Sequence, residues 1–140
     1  MGAPVPERYL DYGRAVFRPT RARVTIDGEP VPGDAHGAIH AGAFDVSLGG
    51  VFRVFPYAAE RGHSHFQAGA IIPAEMIRAL PALVRGRAIP SHHLVEKKGR
   101  QMQVTATGDE LLSLILDGEG IEHVAELSVT SGPPVAIARV

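Results

Sequence analysis

Glycine and proline constrain this chain more than any other feature. Its 140 residues include 16 Gly and 11 Pro. They are not gathered into one linker. They separate short apolar runs along the whole length. Long helices do not survive such punctuation, because Pro deletes a backbone N–H and Gly carries the largest entropic cost. Short strands joined by tight turns do survive it. The expected architecture is therefore all-β and sandwich-like, with about ten or more strands and one α-helix. The length fits a single domain over residues 1–140.

Residues 21–26 alternate, with Val24 and Ile26 on one face and Arg23 and Thr25 on the other. Asp27-Gly28 then reads as a hairpin turn. Further strands are expected over residues 37–41, 43–48, 51–55 and 66–71, with Gly49-Gly50 breaking the set. Residues 6–12 read as a helical turn or a lead-in. Residues 73–85 differ: Met76, Ile77, Leu80, Leu83 and Val84 are spaced for one helical face. Pro73 and Glu75 near the start, Arg85 near the end and Gly86 beyond it agree with a helix. Pro81 inside it predicts a kink or a displaced last turn. Strands resume over residues 91–96, 101–107, 111–116, 122–130 and 135–140, with turns at Lys98-Gly99 and Gly108-Asp109. Residues 101–107 alternate, so one face is wet. Residues 111–116 are apolar except Ser113, which predicts a central strand covered on both faces.

Composition narrows the function. The absence of Cys excludes disulfide scaffolds, zinc-thiolate sites and thiol nucleophiles. No apolar run reaches the roughly 18 residues of a membrane helix, and residues 1–7 do not read as a secretion signal. The cytoplasm is the expected compartment. A net charge of -1 gives no electrostatic case for nucleic acid. Arg14, Arg18, Arg21 and Arg23 cluster. They read as a solvated strand face, or as a stripe for phosphates or anionic head groups.

One tripeptide occurs twice: Asp27-Gly28-Glu29 and Asp117-Gly118-Glu119. Alone it reads as a turn. The order of motifs adds more. Val24-Thr25-Ile26-Asp27-Gly28-Glu29 comes first, then Gly49-Gly50, then Pro56-Tyr57-Ala58. A helix with Gly86 behind it follows, and Leu114-Ile115-Leu116-Asp117-Gly118-Glu119 closes the set. This succession resembles the C-terminal, substrate-side domain of the diacylglycerol kinase and sphingosine kinase family, related to the NAD kinases. The resemblance implies ATP-dependent phosphorylation of a lipid hydroxyl at the inner membrane surface. It implies Asp117 as the general base and Glu119 as a carboxylate beside Mg²⁺ and ATP. The first Asp-Gly-Glu is an ordinary turn in that family. The family's ATP half carries a Gly-Gly-Asp-Gly-Thr signature that this sequence lacks. An N-terminal ATP-binding domain, in cis or in trans, is therefore an implied partner, and the 140 residues alone are expected to be inactive.

The chain departs from the pattern at residues 60–66, where Glu-Arg-Gly-His-Ser-His-Phe replaces the family's acidic loop step. The Gly-rich turn has two glycines rather than three. His63 and His65 would share one face of a strand and suit a divalent metal, with His92 or His93 as a third ligand. A cupin comparison fails, because Glu75 lies ten residues beyond His65 and the chain has no Asn. The plainer reading is an exposed histidine-bearing loop, extended also to His36, His40 and His123. A further alternative is a stand-alone, non-catalytic lipid-binding or dimerising β-module, its apolar patch buried in a homodimer.

Overall fold

The first long strand shows why this sequence makes a sheet. In β1 (Thr20–Ile26), Ala22, Val24 and Ile26 are buried while Arg21 and Arg23 are exposed. That alternation is the signature of one covered face. The computed structural model describes residues 18–48, 52–70, 73–85, 87 and 91–133. Expected elements at residues 6–12 and 135–140, and the Gly49-Gly50 turn, lie outside them.

After β1 come β2 (Glu29–Pro30), β3 (Ala35–His36), β4 (Ala38–Gly42), β5 (Val46–Leu48) and β6 (Phe52–Val54). A 3-10 turn (Pro56–Ala59) leads to β7 (Ser64–Gly69), and helix α1 (Pro73–Val84) follows. The chain continues through β8 (Leu94–Gly99), β9 (Gln101–Ala106), β10 (Leu112–Leu116), β11 (Glu119–Val124) and β12 (Glu126–Thr130). Twelve strands and one α-helix among the described residues match the expected class.

β1 is central in one sheet, with β9 and then β12 on one side and β2 and β3 on the other. A second sheet has the order β4-β7-β8. Every pairing is antiparallel. The two sheets meet in one core, where Val24, Ile26, Met102 and Val104 of the first pack with Phe66 and Ala68 of the second. Leu112 of β10 closes one end. Burying a large side chain of this kind stabilises the fold by about 1.5–3 kcal/mol, so these six positions hold the layers together.

Several expectations need correction. The Lys98-Gly99 turn is one: both residues belong to β8, and the chain crosses between sheets at Arg100. Glycine stands at 99 for contact reasons. A Cβ there would lie 2.9 Å from Asp27 Oδ2 and 3.0 Å from both Ile26 and Phe66. Residues 122–130 are two strands, not one, divided at Ala125. Residues 111–116 do not form a central strand. Among the described residues β10 pairs only with β11, and Leu111 and Ile115 are 50% and 80% exposed. A continuous apolar run fits a covered strand, but nothing among the described residues covers this one beyond Leu112 and Leu114.

α1 ends at Val84 and continues through Pro81. Pro81 cannot bond the Ile77 carbonyl, but Ile77 is exposed, so water can serve that oxygen. The last turn tightens instead: Arg85 N–H and Arg87 N–H both donate to the Ala82 carbonyl, at 3.1 and 2.9 Å. Of the expected apolar face, Ile77, Leu80 and Val84 face solvent, while Met76 and Leu83 lie outside the described side chains. Ala79 is buried. No helix among the described residues is long and apolar enough to cross a membrane.

Candidate functional site

The two Asp-Gly-Glu segments fold into the same turn. Ile26 pairs with Glu29 and Leu116 with Glu119, which leaves two residues in each loop. Asp27 and Gly28 have φ of 52° and 81°, and Asp117 and Gly118 have 49° and 92°. Two successive positive φ values define a type I′ hairpin, the turn whose twist matches antiparallel strands. Asp tolerates this region because its short polar side chain crowds the backbone little. An extended chain would have put Asp117 and Glu119 on one side. The turn removes that arrangement, because Asp117 is in the loop and Glu119 begins β11.

Identical backbones carry different chemistry. Asp27 Oδ1 accepts the backbone N–H groups of Arg100 and Gln101, both at 2.8 Å. These bonds pin the crossover between the two sheets. Desolvation works to raise the Asp27 pKa, but the two N–H donors, Lys97 and His63 outweigh it and hold the carboxyl below its ordinary value. Glu29 is engaged too, by Lys97 Nζ. Asp27 of the first copy is therefore used in holding the fold, and Glu29 is paired at the surface.

The second copy is the opposite case. Among the described residues neither Asp117 nor Glu119 has a hydrogen-bond or ion-pair partner, and both are exposed. They sit at the end of a two-stranded hairpin that, among the described residues, joins neither larger sheet. The hairpin bends at its base, where the register shifts between Leu112 and Leu114 and His123 takes a φ of 64°. An extra residue there is a β-bulge, which re-aims the strand beyond it.

The histidines do not converge. His63 precedes β7, and its Nδ1 lies 3.3 Å from the Arg61 carbonyl and 3.6 Å from Glu60. His65 points into the fold on the face of β7 opposite Phe66. It is buried, with the Tyr57 ring stacked at 5.4 Å and 20° and the Phe55 ring tilted at 5.4 Å. Burial pushes its imidazole down to about 4, and His40 acts in the same direction. Its Nε2 lies 3.3 Å from Glu96 Oε1, and its Nδ1 has no hydrogen-bond partner among the described residues. His92 and His93 are exposed and line a cleft of about 220 Å³ with Pro32, Gly33, Gly69 and Ala70. Among the described residues no three His, Asp or Glu side chains could hold a metal.

The exposed-loop reading is corrected for two of these residues. His36 and His65 are each only 1% exposed. His36 Nε2 donates to the Ala22 carbonyl at 3.1 Å, which ties β3 to β1. Sequence reasoning also missed Glu96, the buried carboxylate facing His65. Its signal was available, since Glu96 sits between Val95 and Lys97 in a strand whose partner strand carries His65. Only the pairing register shows that the two meet.

The chain matches no protein-family model and no curated protein.

Proposed function

We propose that this chain is the substrate-side domain of a diacylglycerol kinase-like lipid kinase, with Asp117 as its general base. The observation that carries the reading is the contrast between the two Asp-Gly-Glu turns. One aspartate has its Oδ1 taken by two backbone donors, and the other has no side-chain partner among the described residues, on a hairpin whose flanks are apolar. A carboxylate with both oxygens open to a substrate hydroxyl is the better placed of the two to take its proton.

The reaction needs a lipid hydroxyl in line with the γ-phosphate of ATP. A bond forms between the lipid oxygen and the γ-phosphorus, and the bond to the β,γ-bridging oxygen breaks, releasing ADP. The hydroxyl proton passes to the Asp117 carboxylate. The exposed Ile115 and Leu116 beside it suit an acyl or glyceryl surface. Glu119 would be the residue to hold Mg²⁺, through hard carboxylate oxygens, and the ion would supply charge neutralisation at the phosphates. The Gly-Gly-Asp-Gly-Thr loop of the related ATP-binding half is not in this sequence, so this chain supplies base and lipid surface, and its partner domain supplies the nucleotide.

The test joins the chain to an ATP-binding domain of that family and follows labelled phosphate into diacylglycerol. Asp117→Asn is expected to lower turnover by about 10²–10⁴-fold, the usual contribution of a general base, with nucleotide binding unchanged. The 140-residue chain alone is expected to transfer no phosphate. Transfer by the chain alone, or wild-type turnover in Asp117→Asn, would sink the reading.

A further inference from the structure

Two exposed apolar surfaces on this chain carry opposite charge. The first is the outer face of α1. Ile77, Leu80 and Val84 are 69%, 46% and 50% exposed. Their spacing of three and then four residues makes one stripe. Arg78 and Arg85 border that stripe on one side, each about a quarter turn from it at 3.6 residues per turn. Arg87 follows the last turn. Glu75 is the helix's acidic residue, and it is engaged by Ser91 Oγ at 2.8 Å.

The second surface is the β10–β11 hairpin. Leu112, Leu114 and Leu116 point to one face, cross-strand from Val124, Ile121 and Glu119. That face starts in the core at Leu112 and emerges toward the tip, where Leu116 is 58% and Ile121 41% exposed. The hairpin pairs with no other strand, so its outer edges are open among the described residues. Its charge is one-sided. The hairpin carries Asp117, Glu119 and Glu122, and residues 101–133 contain no Lys or Arg. Arg18 engages Glu110.

We propose that the acidic hairpin of one copy seats on the Arg-bordered face of α1 in a second copy, and the reverse, in a twofold dimer. Within one chain both surfaces remain exposed, so they do not cover each other. Two copies related by a twofold axis use each surface once and leave none open, whereas a head-to-tail contact would leave one of each free at the ends. The apolar stripes supply affinity, and the opposed borders set the orientation. The apolar strip ends at Leu116. The dimer surface shares Leu116 and Glu119 with the kinase reading, and a mass measured without lipid or nucleotide reads the dimer alone.

Light scattering on the full chain, across protein and salt concentrations, tests it. The expected mass at high concentration is twice 14.9 kDa, with dissociation promoted by salt. Arg78→Glu with Arg85→Glu, and separately Glu119→Lys with Glu122→Lys, should each weaken the dimer by about tenfold or more. All four changes in one chain should restore it. If the charge variants fail to fold by circular dichroism, amide exchange on the wild-type chain replaces them. Residues 77–84 and 112–121 should then both gain protection as concentration rises. A monomer at every concentration overturns the proposal. So does a dimer indifferent to both pairs of changes, protection confined to other segments, or a monomer that instead floats with phosphatidylcholine–phosphatidylglycerol vesicles.

Discussion

Asp27 and Asp117 share a tripeptide, a turn type and a preceding apolar strand, yet only Asp27 is part of the scaffold. The difference lies in what the surrounding chain brings to each carboxylate. Arg100 and Gln101 deliver two N–H donors to Asp27 because β8 and β9 meet beside the β1 hairpin. No segment among the described residues comes to Asp117. Asp27→Ala leaves two backbone donors at the crossover without their acceptor. It is expected to cost about 1–2 kcal/mol, since hydrogen bonds to charged groups sit at the upper end of the usual range and this site is near solvent. Asp117→Ala is expected to lose less by about that amount, because both variants put Ala at a positive φ but only Asp27→Ala gives up hydrogen bonds. Urea unfolding of both variants checks the contrast, and equal losses would contradict it.

At the scale of elements, local signals placed more than they oriented. The alternation of residues 21–26 and 101–107 correctly identified the wet and dry faces of β1 and β9, because a strand's period of two fixes sidedness. Helix α1 was legible from Pro73, Glu75 and the 3.6-residue spacing. Its apolar spacing did not say which face would be covered, and Ala79 is buried where Ile77 and Leu80 were expected. β10 failed for the same reason: an apolar run states what a strand could bury, while its neighbours decide what it does bury. Pro81 remains the sequence's clearest local conflict. Pro81→Ala restores an N–H toward the Ile77 carbonyl and removes the ring. It is expected to raise stability by about 1–3 kcal/mol. A rise in thermal midpoint measures this, and a fall would mean that Pro81 holds a contact of its own.

For the whole molecule, the buried His65 links the fold to pH. Its imidazole is held down to about 4 against an ordinary value of 6.5. Between those values the unfolded chain binds a proton that the folded site refuses, so stability drops as pH falls. The contribution is complete above 6.5 and lost as pH falls through about 4. Asp27 acts lower. Its carboxyl is depressed from 3.8, so its stabilisation disappears only as pH falls below that value. Thermal midpoints from pH 7 to 4 are expected to decline in the wild type and to flatten in His65→Gln. An unchanged slope in His65→Gln would place the acid sensitivity elsewhere.

The sequence by itself determined the class of fold, the faces of β1 and β9, the helix and the Asp27-Gly28 turn, because these depend on residues close together in the chain. Backbone φ preference, alternation and the missing N–H of proline all act over a few residues. The tertiary structure alone decided which aspartate is spent on the scaffold, which histidines are buried, and where apolar surface is left open. Those outcomes depend on β8 meeting β1's hairpin, on Glu96 lying cross-strand from Gln67, two residues along β7 from His65, and on β10 having a single partner among the described residues. Each is a contact between segments distant in sequence, set by sheet register and packing rather than by local preference.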